Sequence, residues 1–250
     1  MNVTLTLLVV AVVFAGAFMR ATFGFGEAVV SMPLLALLPI NLDTSISLIG
    51  LVGLTVAGLT ITSSWRHIDF PILAWLALAT LAGIPVGLLL VTLAPAILIT
   101  RVLGTFLIIY GASSLMRLML HQTGTRPLLS SRAWALPFGF VAGMLGSAYN
   151  ITGIPVVVYG TLRRWHPARF HGTLQAHFLI AGILVVVGQS LGGLWTANLF
   201  TLYGISLPAI VVATVLGMIL HQRIPTEKFK HYVFIIIVIL GVLLLINHST

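Results

Sequence analysis

Apolar runs of about 20 residues, long enough to cross a bilayer as helices, recur at 44–63, 71–91, 96–118, 172–192, 199–220 and 229–246. Two further segments, 4–38 and 134–162, are as apolar, but each is interrupted in its middle by Gly, Thr, Asn and Pro. Roughly 35 residues of helix reach only about 50 Å, short for two full crossings. Each interrupted segment is therefore expected to enter the membrane and return, as a re-entrant hairpin of two half-helices or as two short spans, with the half-helices favoured by this length. The pattern predicts an all-α polytopic membrane protein.

Composition narrows the picture. The chain has 250 residues, 59% hydrophobic and 6% charged, with a mean hydropathy of +1.16. A soluble domain carries about 25% charged residues, so a soluble fold is excluded. There are no cysteines, which removes disulfides, thiolate metal sites and thiol chemistry. The net charge of +8 reports basic loops held on the cytoplasmic side, not affinity for nucleic acid. The start, "MNVTLTLLVVAVVFAGAF", lacks a basic n-region and runs on without a polar stop. It reads as a retained membrane segment and not as a cleaved signal.

The cations sit at Arg66, at Arg117, Arg126 and Arg132, at Arg163, Arg164 and Arg169, and at Arg223, Lys228 and Lys230. The connections at 39–43, 93–95 and 195–198 and both ends carry almost none. Placing the basic loops in the cytoplasm puts both termini outside. The six uninterrupted spans then alternate correctly only if each interrupted segment begins and ends on one side. Arg101, near the outer end of its span, fits this scheme least well.

The result is an inverted repeat: a hairpin plus three spans over 1–120, a cytoplasmic linker at 121–133, and a second hairpin plus three spans over 134–250. "FAGAFMRATFGFGEAVVSMP" from Phe14 parallels "FVAGMLGSAYNITGIPVVVY" from Phe140. "GLLLVTLAPAILITRVLGTFLIIYG" from Gly87 parallels "GMILHQRIPTEKFKHYVFIIIVILG" from Gly217, with Pro95 matching Pro225 and Gly111 matching Gly241.

Backbone in hydrocarbon must satisfy its own hydrogen bonds, so a break survives only where protein or water covers it. Paired breaks in inverted repeats point to a transporter's binding site near the midplane, where half-helix N-termini favour an anion. The breaks here are "GFGE" at 24–27 and "NITGIP" at 150–155. Arg20 and Glu27 are ionisable residues inside a membrane segment, a functional signal by default. Arg20, Thr22, Gly24, Gly26, Asn150, Thr152 and Gly153 are the candidate anion-binding residues, with His177 in the span at 172–192. Asn150 and Thr152 also suit the capping of a half-helix. Glu27 is the candidate proton-coupling group, or else the structural partner of Arg20. Ser147 and Tyr149 are weaker candidates.

"GFGEAVVSMP" and "NITGIP" resemble the two glycine-rich, proline-ended segments of the TauE/SafE family, the sulfite exporter and 4-toluene sulfonate uptake permease group. Members carry two copies of a segment resembling G-x-G-G-G followed by proline, one opening each half. Here Glu27, Ala28, Asn150 and Thr152 stand in place of glycines. The resemblance implies a multi-pass protein of the bacterial inner membrane that moves small anions such as sulfite, sulfonates or sulfoacetate. Protons are the candidate coupling ion, a homodimer is compatible, and no cofactor, metal or nucleic acid is implied.

Two other classes compete. An anion channel also uses inverted repeats and would show non-saturating flux. An intramembrane serine hydrolase would need Ser147 and His177 as nucleophile and base. "LGSA" does not match the G-x-S-G of rhomboid-like proteases, and neither HExxH nor a Walker A loop occurs.

Overall fold

A computed structural model describes residues 3–61, 67–119 and 129–221, together with 235, 238–239, 241–243 and 245–246. The expected span at 229–246, most of the linker at 121–133, and Arg66, Arg126, Arg223, Lys228 and Lys230 lie wholly or largely outside the described residues. The described residues are helical, without strands. In order they form α1 (Val3–Phe23), α2 (Glu27–Ala36), α3 (Leu42–Thr60), α4 (Phe70–Leu93), α5 (Ala96–Met119), α6 (Ala135–Tyr149), α7 (Gly153–Leu162), α8 (Pro167–Leu191) and α9 (Leu199–His221).

Helices α3, α4, α5, α8 and α9 answer the apolar runs read from the sequence. They are long and apolar enough to cross a membrane, and so is α1. This corrects the expectation of two half-helices in 4–38. The break falls at Gly24 and Gly26, late in the segment, and leaves 21 residues in front of it. The short arms are α2 and α7, 10 residues each, and α6 has 15.

Packing is densest between α4 and α6 and between α1 and α9. Thr80 Oγ1 donates to the Gly139 carbonyl at 3.1 Å, and Ser147 Oγ donates to the Ile84 carbonyl at 3.0 Å, so α4 and α6 run parallel. The same holds for α1 and α9. A Cβ on Gly217 would sit 2.9 Å from the Phe18 carbonyl, and one turn on the His221 ring meets the Thr22 carbonyl. Small residues at these contacts let backbones approach, as is usual between membrane helices. Gly83 and Gly87 on α4 meet Phe140, Met144 and Ser147 of α6, and Gly139 and Gly143 on α6 meet Leu76, Ala79 and Thr80 of α4; both are G-x-x-x-G pairs in the sequence.

Between these two parallel pairs, α3 and α8 pack antiparallel. Gly50 meets Gln189, Leu54 meets Gly182, and Thr60 meets Gln175. Exchanging α1 with α6, α3 with α8 and α4 with α9 carries the main contacts onto one another. Large apolar side chains such as Leu78, Leu89, Ile109, Val187 and Val212 are exposed on α4, α5, α8 and α9. This is the outward apolar surface a bilayer requires.

Candidate functional site

The two breaks are set by residues that accept a left-handed backbone. Gly24 and Gly26 have φ of 81° and 99°, where a side chain would be strained. The Gly24 N–H donates to the Arg20 carbonyl at 2.7 Å and closes α1. In the second break Asn150 takes the left-handed position at φ 57°, a role asparagine tolerates better than most residues. The N–H groups of Asn150 and Ile151 donate back to the Gly146 and Leu145 carbonyls at 2.8 and 3.2 Å. The Asn150–Gly146 bond, with Asn150 left-handed, is the αL type of helix end.

Neither α2 nor α7 is capped by a side chain. The expected Asn/Thr cap on α7 is therefore absent. The Asn150 side chain is used elsewhere: Nδ2 donates to the Ile46 carbonyl at 2.5 Å, and Oδ1 accepts from Gln189 Nε2 at 3.2 Å. This frees the first turns of α2 and α7 to line one cavity of about 30 Å³, with Arg20, Phe25, Asn150, Thr152 and Phe178. A second cavity of about 30 Å³ shares Arg20, Glu27, Asn150 and Thr152 and is walled by Gly50 and Gly53 of α3. Each has about the volume of one water molecule.

Arg20 and Glu27 are the charges at this junction. Arg20 Nη1 donates to Glu27 Oε2 at 2.7 Å, and the residues are only 8% and 4% exposed. The guanidinium lies 4.6 Å from the centre of the Phe178 ring, a cation–π contact. Among the described residues, Arg20 Nε and Nη2 and Glu27 Oε1 have no hydrogen-bond partner. A Cβ on Gly53 would sit 3.0 Å from Arg20 Nη1 and 3.2 Å from Glu27 Oε2. The glycine is thus what lets α3 close over the pair. A buried cation with two unspent donors, beside two uncapped helix starts, is an arrangement that favours an anion.

The junction brings together Arg20, Gly26, Glu27, Asn150, Thr152 and Gly153 among the residues read from the sequence. Gly24 lies instead against a neighbouring cavity. Thr22 is turned away: its hydroxyl donates to the Phe18 carbonyl at 2.7 Å. His177 lines neither junction cavity. It is fully buried, and its Nε2 shares a hydrogen bond of 3.0 Å with Thr80 Oγ1 of α4. Ser147 and Tyr149 spend their hydroxyls on the carbonyls of Ile84 and Ile99, each at 3.0 Å. Ser147 thus faces a carbonyl and His177 a threonine, which does not make a nucleophile–base pair.

Phe178, Gly50 and Gly53 were missed. Their signal is the seven-residue spacing of Gln175, Gly182 and Gln189 on α8. It marks the face of α8 that meets α3, puts Phe178 on that face and leaves His177 about 100° around the helix.

A profile of the family described as sulfite exporter TauE/SafE matches residues 8–244. The chain belongs to the TauE/SafE sulfite exporter family. Membership implies a membrane exporter of sulfite or a related anion, and such transporters are not enzymes. Comparison with curated proteins and with solved structures gave no match. Within the TauE/SafE frame, the junction of α2 and α7 is formed by the two glycine-rich segments on which the resemblance rests.

Proposed function

We propose that this protein is a secondary transporter that carries a small sulfur oxyanion, of sulfite or sulfonate type, by alternating access. The observation that carries the reading is the pairing of two uncapped helix starts with a buried, partly unpaired arginine. In this reading the two halves, 1–120 and 134–250, are inverted repeats joined at 121–133. Supporting this, the equivalent helices α3 and α8 run antiparallel, and the contact pattern survives exchange of the halves. Arg20 and the α2 and α7 amides hold the anion, and Asn150 and Thr152 close the second side. The basic loops face the cytoplasm and both termini face outward. The small junction cavities favour a carrier over a channel, because a conducting pore needs a continuous wet path.

Thermal stabilisation of the purified protein against sulfite, sulfate, thiosulfate, taurine, sulfoacetate, lactate and chloride tests the binding step. A ligand that binds only the folded state stabilises by RT ln(1 + [L]/Kd), about 2.7 kcal/mol at 100 times Kd. The expected result is stabilisation by a sulfur oxyanion, lost in Arg20→Ala. No stabilisation by any of the seven would reject the anion site. Saturable flux in proteoliposomes, without single-channel current, is expected of the carrier.

Glu27 is the proposed proton-coupling group, since binding an anion at Arg20 competes with the 2.7 Å ion pair. Uptake driven by a pH gradient is expected in wild type and not in Glu27→Gln. Identical gradient dependence in both would reject the coupling role.

A further inference from the structure

A larger cavity of about 70 Å³ adjoins the junction on the side away from Phe178, lined chiefly by Arg20, Gly24, Thr60, His171, Gln175 and His221. Its volume is that of about two waters, the scale of a small oxyanion. Thr60 ends α3, His171 lies near the start of α8, and His221 ends α9. These are the helix ends on the side of Arg163, Arg164 and Arg169. Arg20 lines this cavity and both junction cavities, so the residue is shared by all three. Its side chain has two buried donors, Nε and Nη2, without a hydrogen-bond partner among the described residues.

The histidines add a chemical constraint. The His171 and His221 rings lie with centroids 5.5 Å apart and planes tilted by 31°. His221 Nδ1 lies 2.7 Å from the Thr22 carbonyl oxygen. A carbonyl only accepts, so Nδ1 carries the proton, and Nε2 of the neutral ring holds a lone pair. That ring donates a second hydrogen bond only as the imidazolium. Across the cavity His221 faces His171 from α8 and Arg20 from α1. The α3 lining contributes Thr60 and no ionisable group. Among the described residues no carboxylate lines the cavity; Glu27 lies outside the lining and is bonded to Arg20 Nη1.

We propose that this vestibule is a second oxyanion subsite, in which a sulfite- or sulfonate-type anion is held by Arg20 and the His171–His221 pair on its way to or from the junction, with His221 Nε2 taking up a proton from water as the anion arrives. This rests on the transport reading above. It adds a binding step outside the helix junction and one proton accompanying the anion there.

The test is calorimetric binding of sulfite to the whole purified protein near pH 7, in two buffers of different ionisation enthalpy, which gives the protons taken up per anion. Sulfite's own titration contributes equally to every variant, so the difference between variants isolates the histidine. Wild type is expected to take up about one proton more per sulfite than His221→Gln, and to bind about tenfold more tightly. Equal proton counts, with sulfite still bound, would overturn the subsite and leave the transport reading standing. If His221→Gln does not fold, His171→Gln carries the test: about tenfold weaker sulfite binding supports the subsite, and unchanged affinity overturns it. Failure of folded wild type to bind sulfite would remove both readings together.

Discussion

Glu27→Ala is expected to lower the stability of the folded protein by about 3–5 kcal/mol, because it strands a buried cation. Arg20 is 8% exposed, and among the described residues the one hydrogen bond of its guanidinium is the 2.7 Å bond to Glu27. Its remaining contact with opposite charge character is the face of Phe178 at 4.6 Å. That contact is worth about 0.5–2 kcal/mol, too little to replace the carboxylate. Glu27→Gln keeps an acceptor at the same distance and is expected to cost less. The double variant Arg20→Leu/Glu27→Leu removes both charges, so most of the loss should be recovered, as buried pairs often allow. Reversible unfolding in mixed micelles measures all four proteins. A loss under about 1 kcal/mol in Glu27→Ala would mean that the cation reaches water or another partner, and the buried-pair description would fall.

That series also separates stability from function. If the pair served packing alone, the double leucine variant would be stable and would still bind the anion. The anion reading requires it to be stable and silent in the binding assay, since both donors on Arg20 are gone.

The architecture was legible because hydrocarbon leaves few options. Long apolar runs at α3, α4, α5, α8 and α9 have one stable form in a bilayer, the helix. The break positions were legible for the same reason: Gly24, Gly26 and Asn150 stand where a lipid-facing helix would carry none of them. The interiors of the spans were harder to read. His177 and Phe178 are neighbours in sequence, yet one faces Thr80 of α4 and the other faces Arg20. Composition alone favours the histidine as the site residue. Only the seven-residue spacing of Gln175, Gly182 and Gln189 gives the face of the helix. The length of α1 was misjudged because the segment was weighed by its total length, whereas the break at 24–27 leaves 21 helical residues on one side of it.

Gly143→Leu is expected to produce the other large effect, a loss of roughly 3 kcal/mol or more, above the usual range for overpacking. A Cβ at Gly143 would run into the Thr80 carbonyl, one at Gly83 into the Phe140 carbonyl, and one at Gly139 would lie 2.6 Å from the Leu76 carbonyl. These neighbours are backbone atoms, which cannot rotate aside, so α4 and α6 would have to separate. Separation also breaks the hydrogen bonds from Thr80 to Gly139 and from Ser147 to Ile84. Buried groups left unpaired cost about 1–3 kcal/mol each. Gly58→Leu and Gly204→Leu are the controls. A Cβ there meets nothing within 4 Å, and each should cost no more than about 1 kcal/mol for an exposed helix position. The effect should reach the site as well, because α6 ends at Tyr149 and delivers Asn150 to the cavity. A shift of α6 moves Asn150 away from the Ile46 carbonyl, so Gly143→Leu should weaken sulfite binding even where detergent keeps the protein folded. Gly143→Leu matching Gly204→Leu in unfolding and in sulfite affinity would mean that the α4–α6 contact holds neither the fold nor the site.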